Sequence, residues 1–291
     1  FDLLKIITYL STPGGLTGAP RRLLSLASIL RKAGIDVCLA SQSGSELLQA
    51  AQDQGHETAL VDSAGLLALR QGALFGGGLL FRLKLCFDLL RQNLRLFRCI
   101  RQKKGDAVWL RGSKGVAFGA LGVILCRRPL IWDVDYELPS RGVVRWLHRL
   151  GLWASKAVVF QYTNAPDQIF GRVLAEQYRH KFRAIIPGID LPSLSNFAEQ
   201  RREKVQMDNG PFVLLQVGTI CDRKNQTLIL EALQLAREEG LGVAWELWLA
   251  YDEIQEPGFE QRVREYGLEN NVRLLGWRDD VKELMTQASL L

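Results

Sequence analysis

Residues 211–233, PFVLLQVGTICDRKNQTLILEAL, run from a short apolar stretch through one glycine into a helical repeat, an order that commits the chain to a strand turning sharply into a helix. Phe212, Val213, Leu214, Leu215 and Val217 are nearly continuous, as in a parallel strand covered on both faces. Gly218 frees the backbone to leave the strand, and Leu228, Ile229, Ala232 and Leu233 recur at helical spacing. The first turn of such a helix has unpaired N–H groups and a positive dipole end, so it welcomes an anion, and Lys224 adds a full charge. No GxxxxGK[ST] is present, so this is not a Walker A loop. A lone lysine at a helix start is more often a solvated surface charge, and both readings stay open at this point.

The same unit repeats along the chain and sets the fold class as α/β. Strands are expected over 3–10, 35–40, 57–61, 107–111, 130–134, 157–160 and 182–186. Helices are expected over 21–33, 46–54, 115–125, 141–153 and 167–176, which makes regular βαβ alternation. After the first strand comes STPGGLTGA, and Gly14 and Gly15 sit at the carboxyl end of a parallel strand, where open α/β sheets bind ligands. Asp133, Asp135 and Glu137 close the fifth strand, either as a polar cap or as groups for a hydroxyl-rich substrate. Residues 187–209 are turn-rich, then charged, and read as a linker. The expected organisation is a first domain over 1–188, a linker over 189–210 and a partial second domain over 211–291.

Residues 79–104, LLFRLKLCFDLLRQNLRLFRCIRQKK, differ in texture. Lys84, Arg91, Arg95 and Arg98 share one narrow helical face, with Cys86, Leu89, Leu90, Leu94, Phe97 and Ile100 mostly opposite. This predicts a cationic amphipathic helix, either a sheet cover with a solvated face or a dock on anionic lipid worth about 1 kcal/mol per basic residue. Interleaved exposed aromatics for base stacking are lacking, which disfavours nucleic acid as a partner. The net charge of +6 fits phosphate-bearing ligands or anionic lipid. Five scattered cysteines without a CxxC pair point to a reducing compartment and away from a metal cluster. The apolar stretch over 115–126 is too short for a bilayer span, which needs about 20 residues. No signal-peptide pattern is visible, and the start at Phe1 is expected to reflect a longer parent polypeptide.

Four stretches together carry a resemblance. TPGGLTGAPRRL follows the first strand; AIIPGID over 184–190 resembles an interdomain IPNGVD; LLQVGTICDRKNQTLILEAL resembles VGRL…KG…LIEA; and NNVRLLGWRDDVKELMTQASLL over 270–291 resembles V.FLG…D…LY..A. In this order they are similar to retaining glycosyltransferases of family 4. The resemblance implies a GT-B architecture, two Rossmann-like parallel-sheet domains facing a donor cleft, with the second incomplete. It implies that Lys224 holds the diphosphate of a nucleotide-sugar (UDP-, GDP- or ADP-sugar), that Gly14 and Gly15 shape the acceptor side, and that Gly218 and Thr219 shape the donor side. Asp133 is a further candidate catalytic residue beside Lys224. No metal or other cofactor is implied. The acceptor is expected to be a cell-envelope or lipid-linked saccharide, met by a cytoplasmic protein peripheral to the inner membrane face. Four departures stand out. Thr219 replaces the family's arginine, Asn225 replaces a glycine, Ala250 stands where a glycine-containing loop is expected to begin after ELWLA, and the paired glutamates are expected beyond Leu291. A rival is a binding protein that keeps the fold without transfer chemistry.

Overall fold

Each short apolar run becomes a parallel strand because both of its faces find a helix layer to bury against. The computed structural model describes residues 4–11, 16, 18–63, 78–134, 142–186, 199, 210–222, 224–240 and 242–290. Gly14, Gly15, Asp135, Glu137 and nearly all of the 187–209 stretch therefore lie outside the described residues. The chain divides into two units, Phe1–Pro187 and Gly188–Leu291.

In the first unit, the strands β1 (Leu4–Tyr9), β2 (Ile35–Ser41), β3 (Glu57–Leu60), β4 (Ala107–Arg111), β5 (Leu130–Val134), β6 (Ser155–Phe160) and β7 (Phe182–Ala184) form one parallel sheet. Their order is β3-β2-β1-β4-β5-β6-β7, so the winding reverses between β1 and β4. Right-handed crossovers then place α1 (Gly18–Lys32) and α2 (Glu46–Asp53) on one face, and α3 (Leu79–Gln102), α4 (Gly112–Leu125) and α5 (Gly142–Ala154) on the other. The alternation along β1 shows both layers. Ile6 packs with Leu23, Ala27 and Leu47, whereas Ile7 and Tyr9 pack in the core of Leu96, Ile100, Phe118 and Leu152.

The expected helix over 167–176 is two helices, α6 (Ala165–Phe170) and α7 (Arg172–Tyr178). Gly171 between them takes φ +79, which a right-handed helix cannot continue through.

A second difference concerns α3. Its buried side carries Asp88, Gln92, Asn93, Leu96, Cys99 and Ile100, while Leu90 and Leu94, expected to face inward, are exposed. Polar partners explain the inward turn: Gln92 Nε2 donates to the Tyr9 hydroxyl (3.0 Å), and Asn93 Nδ2 donates to the Ala117 carbonyl (2.9 Å). Arg95 is likewise half-buried, its guanidinium donating to the Asp62 carbonyl. Lys84, Arg91 and Arg98 remain exposed. With 24 residues, α3 is about 36 Å long, against about 20 Å for the six-residue β1. Its first turns therefore project past the carboxyl edge of the sheet, and no residue over 80–87 is buried. No described helix is long and apolar enough to cross a membrane.

In the second unit, β8 (Phe212–Val217), β9 (Trp245–Ala250) and β10 (Val272–Gly276) pair in parallel in the order β10-β9-β8. They alternate with α8 (Gln226–Glu238), α9 (Phe259–Glu265) and α10 (Val281–Gln287). After α10 the chain returns to the other edge of β8, where Leu290 N–H donates to the Val213 carbonyl (3.0 Å) and Leu215 N–H to the Leu290 carbonyl (2.9 Å). The winding thus reverses at β8, and its carboxyl end is a topological switch point, the place where open α/β sheets take ligands.

Candidate active site at the carboxyl end of β8

β8 ends at Val217, and Gly218 follows with φ +134, a backbone conformation that a side chain strains. The Gly218 N–H donates to the Ala250 carbonyl (2.9 Å), and the Tyr251 N–H to the Gly276 carbonyl (2.9 Å), so the ladder runs across all three strand ends. Beyond it, the turn is braced from two sides. The Ile220 N–H donates to the Glu253 carbonyl (3.0 Å), and the Gln255 N–H returns a bond to the Ile220 carbonyl (2.8 Å). Gln226, fully buried at the first position of α8, donates through Nε2 to the Thr219 carbonyl (3.0 Å) and accepts from the Cys221 N–H (3.3 Å). One side chain thus satisfies two main-chain groups of the turn.

The Cys221 carbonyl accepts the Lys224 and Asn225 N–H groups at 2.8 and 3.1 Å. Asn225 then takes φ +52 as the N-cap of α8. Asparagine tolerates this left-handed position better than any residue except glycine, which accounts for the substitution noted in the sequence. The result aims Lys224 back across the turn. Its Nζ lies 3.9 Å from where a Cβ on Gly218 would stand. Among the described residues no carboxylate pairs with the Lys224 ammonium, which is exposed. Beside it, the Gln226 and Thr227 amides open α8 with no carbonyl of their own helix to bond. A full positive charge and a helix mouth therefore converge on one spot over Gly218.

Two carboxylates flank this spot in different states. Thr219 Oγ1 donates to Asp252 Oδ1 (2.7 Å), so its hydroxyl proton is committed to the loop after β9. Glu256 is buried; it accepts from Thr227 Oγ1 (2.7 Å) and from Arg262, which also donates to Thr227 Oγ1 (3.0 Å). That pairing sets the Arg262 charge against the Glu256 carboxylate and fixes α9 against the first turn of α8. At the end of β10, the half-exposed Trp277 donates its indole N–H to Asp279 (3.1 Å), and Arg278 holds the Asp280 carboxyl below its usual range.

Of the residues singled out in the sequence, Gly218, Thr219 and Lys224 meet at this one turn. Asp133 lies in the other unit, buried at the end of β5 and in register with Arg111 of β4 and Val159 of β6. Gly14 and Gly15 are outside the described residues. Sequence reasoning passed over Gln226, which reads as a solvated helix start, and Asp252, whose only signal is a carboxylate just past an apolar strand.

Residues 197–291 match the sequence profile of the family described as Glycosyl transferases group 1, which is a third of the chain. No curated protein matches the sequence. In three dimensions the chain is similar to HepE of Anabaena, solved with UDP-glucose, at 16% identity and a TM-score of 0.66, covering 98% of this chain and 72% of that one. It is similar also to a glycosyltransferase of Rickettsia africae (14% identity, TM-score 0.65, 99% and 72% covered). A third likeness is to a putative UDP-N-acetylglucosamine 2-epimerase of Listeria monocytogenes (13% identity, TM-score 0.57, 98% and 72% covered). The fold is GT-B, and its second unit carries the match to the group 1 glycosyl transferases.

Proposed function

We propose that the protein transfers a sugar from a nucleotide-sugar to a saccharide acceptor with retention of configuration, as a member of glycosyltransferase family 4. The observation that carries this reading is the position of the Lys224 ammonium over Gly218, at the mouth of α8 and at the switch point of the sheet. The leaving group of such a reaction is a nucleoside diphosphate. Negative charge grows on it as the glycosidic bond breaks, and a pre-aimed cation plus helix amides stabilise that charge without a metal ion. The Gly218 position matters because the absent side chain lets the diphosphate approach the main chain. Thr219 acts through its backbone and its bond to Asp252, since its hydroxyl proton is already engaged. That leaves Lys224 as the chief carrier of phosphate charge.

UDP is the first donor base to test, because HepE binds UDP-glucose in a related fold. In this reading the first unit serves the acceptor, through the Gly14 and Gly15 loop and Asp133, and the acceptor is a cell-envelope or lipid-linked saccharide at the inner face of the cytoplasmic membrane. The likeness to an epimerase shows that fold alone does not choose the reaction. Thr219 in place of an arginine favours a second reading, a nucleotide-sugar binder that performs no transfer.

Calorimetry with UDP, GDP and ADP on the protein and on Lys224→Ala tests the site. Loss of a charge-assisted contact of about 1.5 to 3 kcal/mol weakens the preferred nucleotide roughly tenfold to 150-fold. Equal affinities in the two proteins refute the assignment. Incubation with UDP-sugars and a membrane extract then separates transfer from binding: nucleotide affinity with no sugar transferred supports the second reading.

A further inference from the structure

We propose that the outer surface of α3, α4 and α5 is a docking face for an anionic lipid bilayer, entered by an apolar stripe rather than touched by charge alone. The inference deepens the proposed function by naming where the acceptor is met, and its test reads no turnover, so failure of docking and failure of transfer are told apart.

The stripe lies on the projecting helix. Leu80, Leu83, Phe87, Leu90 and Leu94 fall within about 80° of arc at helical spacing, and all five are exposed, Leu80 at 83% and Phe87 at 64%. Lys84, Arg91 and Arg98 line one border of the stripe and are exposed as well. The layer continues the pattern independently. α3 packs along α4 and α4 along α5, and the far sides of these neighbours expose Leu121 and Leu125, then Trp146 and Trp153, the last two at 62% each with Arg149 between them. Exposed tryptophans beside arginines on a helix are groups that lodge at the boundary of headgroups and acyl chains. A solvated sheet-covering helix would carry polar residues on this side, and here the polar residues Asp88, Gln92 and Asn93 face inward instead.

Charge selects the occupant. The three helices hold nine Lys or Arg, seven of them exposed and Arg95 and Lys114 half-buried, against one acidic residue, Asp88, which is buried. A second copy of this chain would set that surface against its own charge, whereas anionic headgroups complement it. Geometry ties the face to the chemistry of the first unit. α3 and α5 enter from the carboxyl side of the sheet, so Leu80, Leu83, Phe87 and Trp146 stand on the side where β1, β4 and β5 end. A molecule anchored in the bilayer would reach those strand ends while keeping its lipid in place.

The experiment is co-sedimentation of the full chain with vesicles of phosphatidylcholine alone and of phosphatidylcholine mixed with phosphatidylglycerol, across a salt series. Light scattering on a sizing column runs alongside. The protein is expected to bind the mixed vesicles and to keep part of that binding at high salt. Leu83→Ser with Phe87→Ser, both at exposed positions, is expected to lower partitioning about tenfold or more at every salt concentration, while the melting temperature holds. Arg91→Gln with Arg98→Gln is expected to erase the preference for phosphatidylglycerol. Unchanged partitioning of the serine variant overturns the proposal, as does wild-type protein that ignores mixed vesicles or binds both kinds equally. A wild-type dimer that dissociates in the serine variant, with no vesicle binding, assigns the stripe to a second copy and overturns it too.

Discussion

Lys224 reaches back across its own turn to Gly218, placing Cε 3.6 Å and Nζ 3.9 Å from the point where a glycine Cβ would begin. The two residues therefore fail differently. Lys224→Ala is expected to lose nucleotide affinity with its melting temperature intact. Gly218→Ala keeps ordinary contact distances but forces alanine to φ +134, a strain of about 1 to 3 kcal/mol, and is expected to lose stability as well as affinity. Thermal melts with and without UDP distinguish the two; a Gly218→Ala protein that melts like wild type contradicts this account.

Gln226→Leu removes the strut that joins the Thr219 carbonyl and the Cys221 N–H. Both groups then lose their partner at a half-buried position, at most about 1 to 3 kcal/mol each. Denaturant unfolding of the second unit should report a loss of about 2 to 5 kcal/mol once water has relieved part of the cost. A loss below about 1 kcal/mol would mean that the turn holds itself.

Thiol chemistry reads the projection of α3. Burial pushes the Cys38 thiol up to about 12 and the Cys99 thiol up to about 11, so neither offers thiolate at neutral pH. Cys86 is exposed on the projecting turns. A disulfide reagent at neutral pH is expected to modify Cys86 quickly, with Cys38 and Cys99 reacting only at the rate of unfolding. Mass mapping that finds Cys38 labelled early would refute the packing of α3 on the sheet.

Acid stability should carry the mark of Glu57. Burial alone would raise its carboxyl, but hydrogen bonds from Lys5 (2.9 Å) and Lys103 (3.0 Å) outweigh it and hold the group below its ordinary 4.5. A carboxylate depressed in the folded state stabilises above its unfolded value and loses that contribution as pH falls through the folded value. All three side chains are partly solvated, so the effect is at most about 1 kcal/mol. Glu57→Gln is expected to flatten the decline in melting temperature below pH 4.5, leaving the slope near neutrality unchanged; an identical acid limb in both proteins counts against it.

The alternation of strands and helices was legible because period and glycine placement are local properties, and the β8 turn was legible for the same reason. Asp252 was not, since its bond to Thr219 depends on the register that sets Val217 beside Ala250. α3 shows a different limit. Its sequence offers two apolar arcs, and hydropathy cannot say which is inside when Gln92 and Asn93 find partners in the core. Only the contacts with Tyr9 and Ala117 settle the orientation. The break at Gly171 was hidden because a glycine within a helical pattern is often tolerated.

The seam between α3 and α4 has a mechanical meaning. A Cβ on Gly122 would stand 2.5 Å from the Asn93 carbonyl oxygen, so the two helices touch backbone to backbone there, while one on Gly119 would stand 2.5 Å from the Leu96 side chain. Asn93 rivets them, bonding the Ala117 carbonyl and accepting the Gly122 N–H at 3.2 Å. The part of α3 from Asp88 onward is thereby clamped, and residues 80–87, about two turns of which no residue is buried, form a cantilever. A force on its tip is not absorbed by a hinge but passes as torque to the seven-stranded sheet. The angle at which the helix meets a surface therefore sets the tilt of the whole first unit, and enlarging Gly119 or Gly122 would change that tilt without touching a residue at the surface.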